Sequence, residues 1–168
     1  MDQKAFQLQQ IIERIETFKG IDTTQMQSVL ALCRSATYEA GEWVYTQGTP
    51  SEDMVVLLKG RLEVSSSSGE SLGVITPGHS VGEMGLFSGR QRSANVTASV
   101  DSSGLVIEKK GILALFKQDP RIHLKVMPNA LNMVCGRLVN SNVQIESFAK
   151  QIQTQPGEEV EEGEEAEE

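Results

Sequence analysis

The chain is poor in the residues that metal and nucleophilic chemistry use most. It has two cysteines and two histidines in 168 residues. Cys33 and Cys135 form no metal-ligand spacing, and both fall in stretches of helical periodicity, which predicts small core residues in a reduced chain. His79 and His123 are far apart in sequence and have no ligand or nucleophile beside them, so neither a metal site nor an enzyme is expected. No apolar run approaches the roughly 18 residues of a membrane span. The N-terminus MDQKAFQLQQ is too polar for a secretory signal, so a cytoplasmic chain with no membrane contact is expected. A basic excess is also missing. The net charge is −8, and eight of the 23 acidic residues are Glu158, Glu159, Glu161, Glu162, Glu164, Glu165, Glu167 and Glu168; the other 15 balance the 15 lysines and arginines. With no clustered basic face, nucleic acid is not an expected partner.

What remains is enough for one domain with a core. Ala5, Leu8, Ile11, Ile12, Ile15 and Phe18 form a helical stripe over residues 3–18, which Gly20 ends. Asp22 and Gln25 have the spacing of a capping box for a second helix carrying Met26, Val29, Leu30 and Cys33. Short β-type runs follow at 36–38, 42–45, 54–58, 61–65, 71–76, 95–100 and 104–109, punctuated by Gly41, Gly48, Gly60, Gly69, Gly78 and Gly104. The pattern then returns to helix at 110–117. Asp119 and Pro120 start the next helix as cap and first residue. Pro128 is expected to kink or break it, with a long helix from Asn129 to about Gln153. The fold class is α+β: an antiparallel, jelly-roll-like β-roll flanked by N-terminal helices and a long C-terminal helix. The expected division is 1–34 for helices packing on the roll, 35–153 for the roll with its C-terminal helices, and 154–168 for a disordered acidic tail.

The stretch that organises the chain is 81–96, VGEMGLFSGRQRSANV. Gly82 and Gly85 let the backbone approach a ligand without a Cβ in the way. Residues 84–87 can make one helical turn. Arg92, Ser93 and Ala94 then bring together a guanidinium, a hydroxyl and a small residue, a cradle for an anion. Glu83 repels a phosphate, but a carboxylate accepts hydrogen bonds from a sugar hydroxyl. Phosphate plus ribose in one loop suggests a nucleotide; the plain alternative is a glycine-rich turn with an exposed arginine.

GEMGLFSGRQRSA resembles the phosphate-binding cassette of the cyclic nucleotide-binding domain family, of the catabolite-activator and protein kinase A regulatory-subunit type. Ala40-Gly41-Glu42, Gln47-Gly48 and Lys59-Gly60 fall where that family has its turns, and the resemblance extends over residues 15–153. It implies that Arg92 pairs with a cyclic phosphate and that Glu83 accepts from the ribose 2′-hydroxyl. Ser93 would add a hydroxyl contact, and the backbone N–H groups of Met84, Gly85 and Ala94 would complete the cradle beside Gly82. Val64 and Leu72 match positions lining the purine in bacterial members, or are ordinary core. Ser141 and Asn142 match a polar pair that meets the purine edge, or face solvent. Val81 and Ser80 are smaller than the family usual, which loosens the shell behind the cradle. With Ser93, Ser141 and Asn142, the resemblance favours cyclic AMP over cyclic GMP.

A helix-turn-helix, kinase, channel or cyclase segment is not recognised in the chain. The expectation is therefore a stand-alone, bacterial-like sensor that acts through an unidentified protein effector. The rival is a nucleotide-free structural or scaffolding module whose acidic tail holds a partner. Leu131, Val134, Leu138, Ser141, Ile145, Phe148 and Ile152 recur at alternating steps of three and four, the a/d spacing of a coiled-coil seam. This predicts a homodimer through residues 131–152, unless the stripe packs on the chain's own roll.

Overall fold

The computed structural model describes residues 15–154, with side chains described through 150. A 3-10 turn at Glu16–Phe18 leads to helix α1, Thr23–Leu30. Six strands follow: β1 Cys33–Tyr38, β2 Trp43–Tyr45, β3 Asp53–Ser65, β4 Ser71–Ile75, β5 Ser80–Val81 and β6 Asn95–Glu108. Helix α2, Glu83–Ser88, sits between β5 and β6; α3, Lys109–Gln118, and α4, Pro120–Thr154, close the chain. Every strand pairing is antiparallel, in the order β1-β6-β3-β4, with β2 added on β6 and β5 on β3.

The helix starts are where the sequence puts them. Asp22 accepts from the Gln25 backbone N–H at 2.9 Å while the Gln25 side chain accepts from the Asp22 N–H at 3.2 Å, a complete capping box on α1. Asp119 accepts from the Arg121 N–H at 3.0 Å and so caps α4, with Pro120 as its first residue. The expected helix over 3–18 lies mostly outside the described residues, as does the tail beyond 154; the described end of that helix is the 3-10 turn.

Several expectations are corrected. Runs 54–58 and 61–65 are one strand, β3, and runs 95–100 and 104–109 are one strand, β6. Gly60 and Gly104 are not turns between strands. They are points where the two long strands cross closely: a Cβ on Gly60 would meet the Asp101 carbonyl at 2.7 Å, and one on Gly104 the Val56 carbonyl at 2.6 Å. The ladder shifts register three times between Leu57 and Leu62, and those irregularities bend β3 without ending it. Of the kink or break expected at Pro128, the break is absent: helix α4 is continuous from Pro120 to Thr154. Pro128 and Leu124 are both exposed, so the Leu124 carbonyl, which a proline at 128 leaves without its helical donor, is open to solvent. Cys33 opens β1 rather than extending a helix, and Cys135 is exposed rather than a core residue.

The run Met54–Leu57 is continuously apolar because both of its faces are covered. Met54 and Val56 join Leu105 and Ile107 under a helical cluster of Ile15, Phe18, Met26, Val29, Ile112, Phe116, Ile122 and Val126. Val55 and Leu57 point the other way and join Leu62, Ile75, Val81, Val96, Ala98 and Val106 inside the roll. The chain divides into two compact units, residues 1–134 and 135–168. The first contains the roll; the second consists, as far as described, of the later part of α4.

Candidate functional site

The 82–94 segment folds as a loop, one short helix and a second loop. Strand β5 ends at Val81, and Gly82 then turns left-handed (φ +95°) to start α2. Its carbonyl accepts from the Leu86 N–H at 3.1 Å. Gly89 (φ +72°) ends α2 in the same backbone region. Glu83 is the first residue of α2 and is fully buried. A carboxylate in this position lies at the electropositive end of the helix.

Arg92 returns to the start of this helix and is 7% exposed. Its Nη1 donates to the Asp53 carbonyl at 2.8 Å and to the Gly82 carbonyl at 3.4 Å. Nη2 donates to the Asp53 carboxylate at 2.7 Å. The guanidinium carbon lies 3.4 Å from the centre of the Tyr45 ring, a cation–π stack. The Tyr45 hydroxyl donates to the same Asp53 Oδ1 at 2.8 Å. Burial first, and then the Asp53 charge and hydrogen bond, raise the Tyr45 hydroxyl pKa against the opposing pull of Arg92, so Tyr45 stays a donor. On its other oxygen Asp53 has Arg34 Nη2 at 3.8 Å.

The two glycines are required by these contacts. A Cβ on Gly82 would strike Arg92 Nη1 and come within 3.0 Å of the Tyr45 ring. A Cβ on Gly85 would strike the Ser51 side chain and lie 2.9 Å from the Arg90 carbonyl. The groups that come close to these glycines are therefore the protein's own guanidinium and hydroxyl, where the sequence reading expected a ligand.

Of the expected site residues, Gly82, Glu83, Met84, Gly85, Arg92, Ser93 and Ala94 are gathered in this one segment. Met84 is 41% exposed, Ser93 is exposed and Ala94 half-buried. Val64 on β3 is half-buried with Gly73 of β4 and Val96 of β6 as its register partners, while the nearby Leu72 on β4 is 52% exposed. Ser141 and Asn142 belong to the second unit and are exposed on α4. A cavity of about 350 Å³ is lined by Trp43, Val44, Tyr45, Thr46, Thr49, Pro50, Glu52, Asp53 and Arg92. Arg92 is the one expected residue on its wall. Sequence reasoning missed Asp53 and Tyr45, whose only local signal is a hydroxyl and a carboxylate on either side of the Gln47-Gly48 turn.

Among the described residues no group of three or more His, Cys, Asp or Glu side chains could hold a metal ion. Among them, too, no helix is long and apolar enough to cross a membrane.

The site is thus an antiparallel roll that carries a short internal helix, with a buried arginine from the following loop bonded back to the helix start. The family model for the cyclic nucleotide-binding domain matches residues 35–119, half of the chain, and the chain belongs to that family, which is regulatory rather than catalytic. Among curated relatives, glutaminase 1 of Bradyrhizobium diazoefficiens is 27% identical over 128 residues, covering 76% of this chain and 21% of that protein. The dog cyclic nucleotide-gated channel beta-3 is 29% identical over 125 residues, covering 71% and 16%. The match therefore spans about a fifth of the first of these relatives and less of the second. Among solved structures, a cyclic nucleotide-binding domain from Methylobacillus flagellatus superposes with a TM-score of 0.71 at 20% identity, over 94% of this chain and 88% of the other. The regulatory domain of Toxoplasma gondii PKA, crystallised with cAMP, gives 0.64 at 22%, over 68% and 45%. At these identities the two structures speak for the fold.

Proposed function

We propose that the chain binds a purine 3′,5′-cyclic monophosphate at the 82–94 cassette, cyclic AMP in preference to cyclic GMP, and passes its occupancy to a partner protein. The observation that carries this reading is the joining of Arg92 to the start of α2: one buried guanidinium bonded to the Gly82 carbonyl, next in sequence to the buried carboxylate of Glu83. A cyclic phosphodiester carries a single charge, which one arginine can neutralise. Glu83 takes the ribose hydroxyl, Ser93 adds a contact, and the N–H groups of Met84, Gly85 and Ala94 complete the cradle. Val64 and Leu72 form the wall for the base. Ser93, Ser141 and Asn142 favour cyclic AMP, and the cyclic AMP in the Toxoplasma structure is in keeping with that choice.

Signal output is assigned to a homodimer through residues 131–152. Leu131, Leu138, Ile145 and Phe148 are each more than 60% exposed along this helix, an apolar stripe at heptad spacing.

One observation favours a second reading, a nucleotide-free scaffolding module: Arg92 already has an anionic partner in Asp53. Titration calorimetry with cyclic AMP and cyclic GMP separates the two. Binding that Arg92→Ala weakens by at least about 2 kcal/mol supports the sensor, as expected for truncating a buried charge pair. Absence of binding supports the scaffold, and tighter binding of cyclic GMP overturns the cyclic AMP assignment.

A further inference from the structure

We propose that Asp53, anchored by Tyr45, sets the affinity of the nucleotide site by competing with the ligand's phosphate for Arg92. This rests on the reading of Arg92 as the phosphate partner. Both terminal nitrogens of Arg92 are engaged by Asp53, one through its carbonyl and one through its carboxylate, at 2.8 and 2.7 Å. One face of the guanidinium is covered by the Tyr45 ring, and the Tyr45 hydroxyl fixes the carboxylate oxygen that Arg92 holds. The result is a closed triad of acid, phenol and guanidinium, in which Arg92 is 7% exposed and the Asp53 side chain 24%.

An incoming phosphate meets this triad in one of two ways. It draws Nη2 away from Asp53, and the carboxylate loses its strongest partner. Alternatively, Arg92 stays in place and two anions share one guanidinium. Like charges brought together at a desolvated site oppose binding, so both routes lower affinity and a neutral residue at position 53 raises it. The exchange is feasible because the carboxylate keeps two other partners when Arg92 turns: the Tyr45 hydroxyl at 2.8 Å and Arg34 at 3.8 Å. Asp53 is in this sense an affinity-setting residue, and the Arg92 backbone is held independently of it. The Arg92 N–H donates to the Thr49 carbonyl, and the Arg92 carbonyl accepts from the Gly48 N–H, each at 2.9 Å. Only the side chain has to move.

The test measures cyclic AMP binding by calorimetry for the wild-type chain, Asp53→Asn, Asp53→Ser, Asp53→Glu and Arg92→Ala, with circular dichroism to confirm folding. Asp53→Asn keeps the shape and removes the charge, so cyclic AMP should bind about tenfold more tightly, the range expected when a like charge is taken from a buried ion pair. Asp53→Ser should also tighten binding and serves if the asparagine variant does not fold. Asp53→Glu restores the charge and should fall back toward the wild-type value, which a merely structural role for this residue would not require. Trp43 borders the same cavity, so its fluorescence should change on ligand addition in the wild-type chain and change less in Asp53→Asn. If Arg92→Ala loses binding while Asp53→Asn and Asp53→Ser bind no more tightly than wild type, the competition is overturned and the nucleotide reading stands. If Arg92→Ala binds as wild type does, or neither wild type nor the neutral variants bind, the nucleotide reading falls and the competition falls with it.

Discussion

Gly82→Ala tests whether the cassette is built around close approach or only around a flexible turn. Gly82 has φ +95°, a backbone region that costs a residue with a Cβ about 1–2 kcal/mol. Gly69, at the tip of the β3–β4 hairpin, has φ +88° and nothing within 4 Å of where its Cβ would lie, so Gly69→Ala measures that conformational cost alone. At Gly82 the same Cβ meets Arg92 Nη1, the Tyr45 ring at 3.0 Å and the Asp53 carbonyl at 3.1 Å. The guanidinium is the group met most closely, and moving it strains charge-assisted hydrogen bonds worth roughly 1.5–3 kcal/mol. Alanine also stiffens the unfolded chain, a gain of about 0.4–1 kcal/mol that both variants share and that cancels in their difference. Gly82→Ala should therefore be less stable than Gly69→Ala by about 1–3 kcal/mol, a difference of roughly 2–10 °C in melting temperature for a chain of this size. Thermal unfolding followed by circular dichroism reads it directly. Equal melting temperatures would refute the argument, because they would mean that Arg92 does not fill the space beside Gly82. Cyclic AMP affinity should fall in Gly82→Ala and stay unchanged in Gly69→Ala.

Four further outcomes are expected. Asp22→Ala removes the capping box from α1 and should cost about 1 kcal/mol, seen as a lower urea midpoint; no change would mean that the buried contacts of Met26 and Val29 hold the helix alone. Burial pushes the Cys33 thiol up to about 11, so a disulfide reagent at pH 8 should titrate the exposed Cys135 quickly and Cys33 slowly. Because the folded state keeps that proton to higher pH than the unfolded chain, this contribution to stability is present below pH 9.0 and is lost as pH rises through about 11; two fast thiols would contradict the burial. A chain ending at Pro156 should keep both its melting temperature and its nucleotide affinity, and a large loss of either would mean that the glutamates dock on the domain. Leu138→Glu combined with Ile145→Glu should give monomers by sedimentation, whereas a wild-type chain that is monomeric at high micromolar concentration with and without nucleotide rules out the seam.

What the sequence made legible follows from the range over which each feature is decided. The α1 capping box is completed within three residues and the α2 turn within a single loop, so local spacing was enough for both, whereas the side chains that pack on Gly82 and Gly85 come from elsewhere in the chain. Gly60 and Gly104 misled because a turn glycine and a crossing glycine are identical in local sequence. What separates them is the Asp101 or Val56 backbone lying against them, and that proximity exists only once β3 and β6 pair. Pro128 did not break the helix for a similar reason: its penalty depends on whether the Leu124 carbonyl is open to solvent, which is a property of the helix face. The Asp53–Arg92 pair spans 39 residues and joins a strand start to a loop, and no periodicity reports it. On the proposal above, this pair sets how much of the Arg92 charge is available to a ligand. A cassette motif can name the arginine that meets a phosphate, but the strength of that meeting depends on which anion holds the arginine beforehand, and here the resting partner comes from the far side of the roll's first turn.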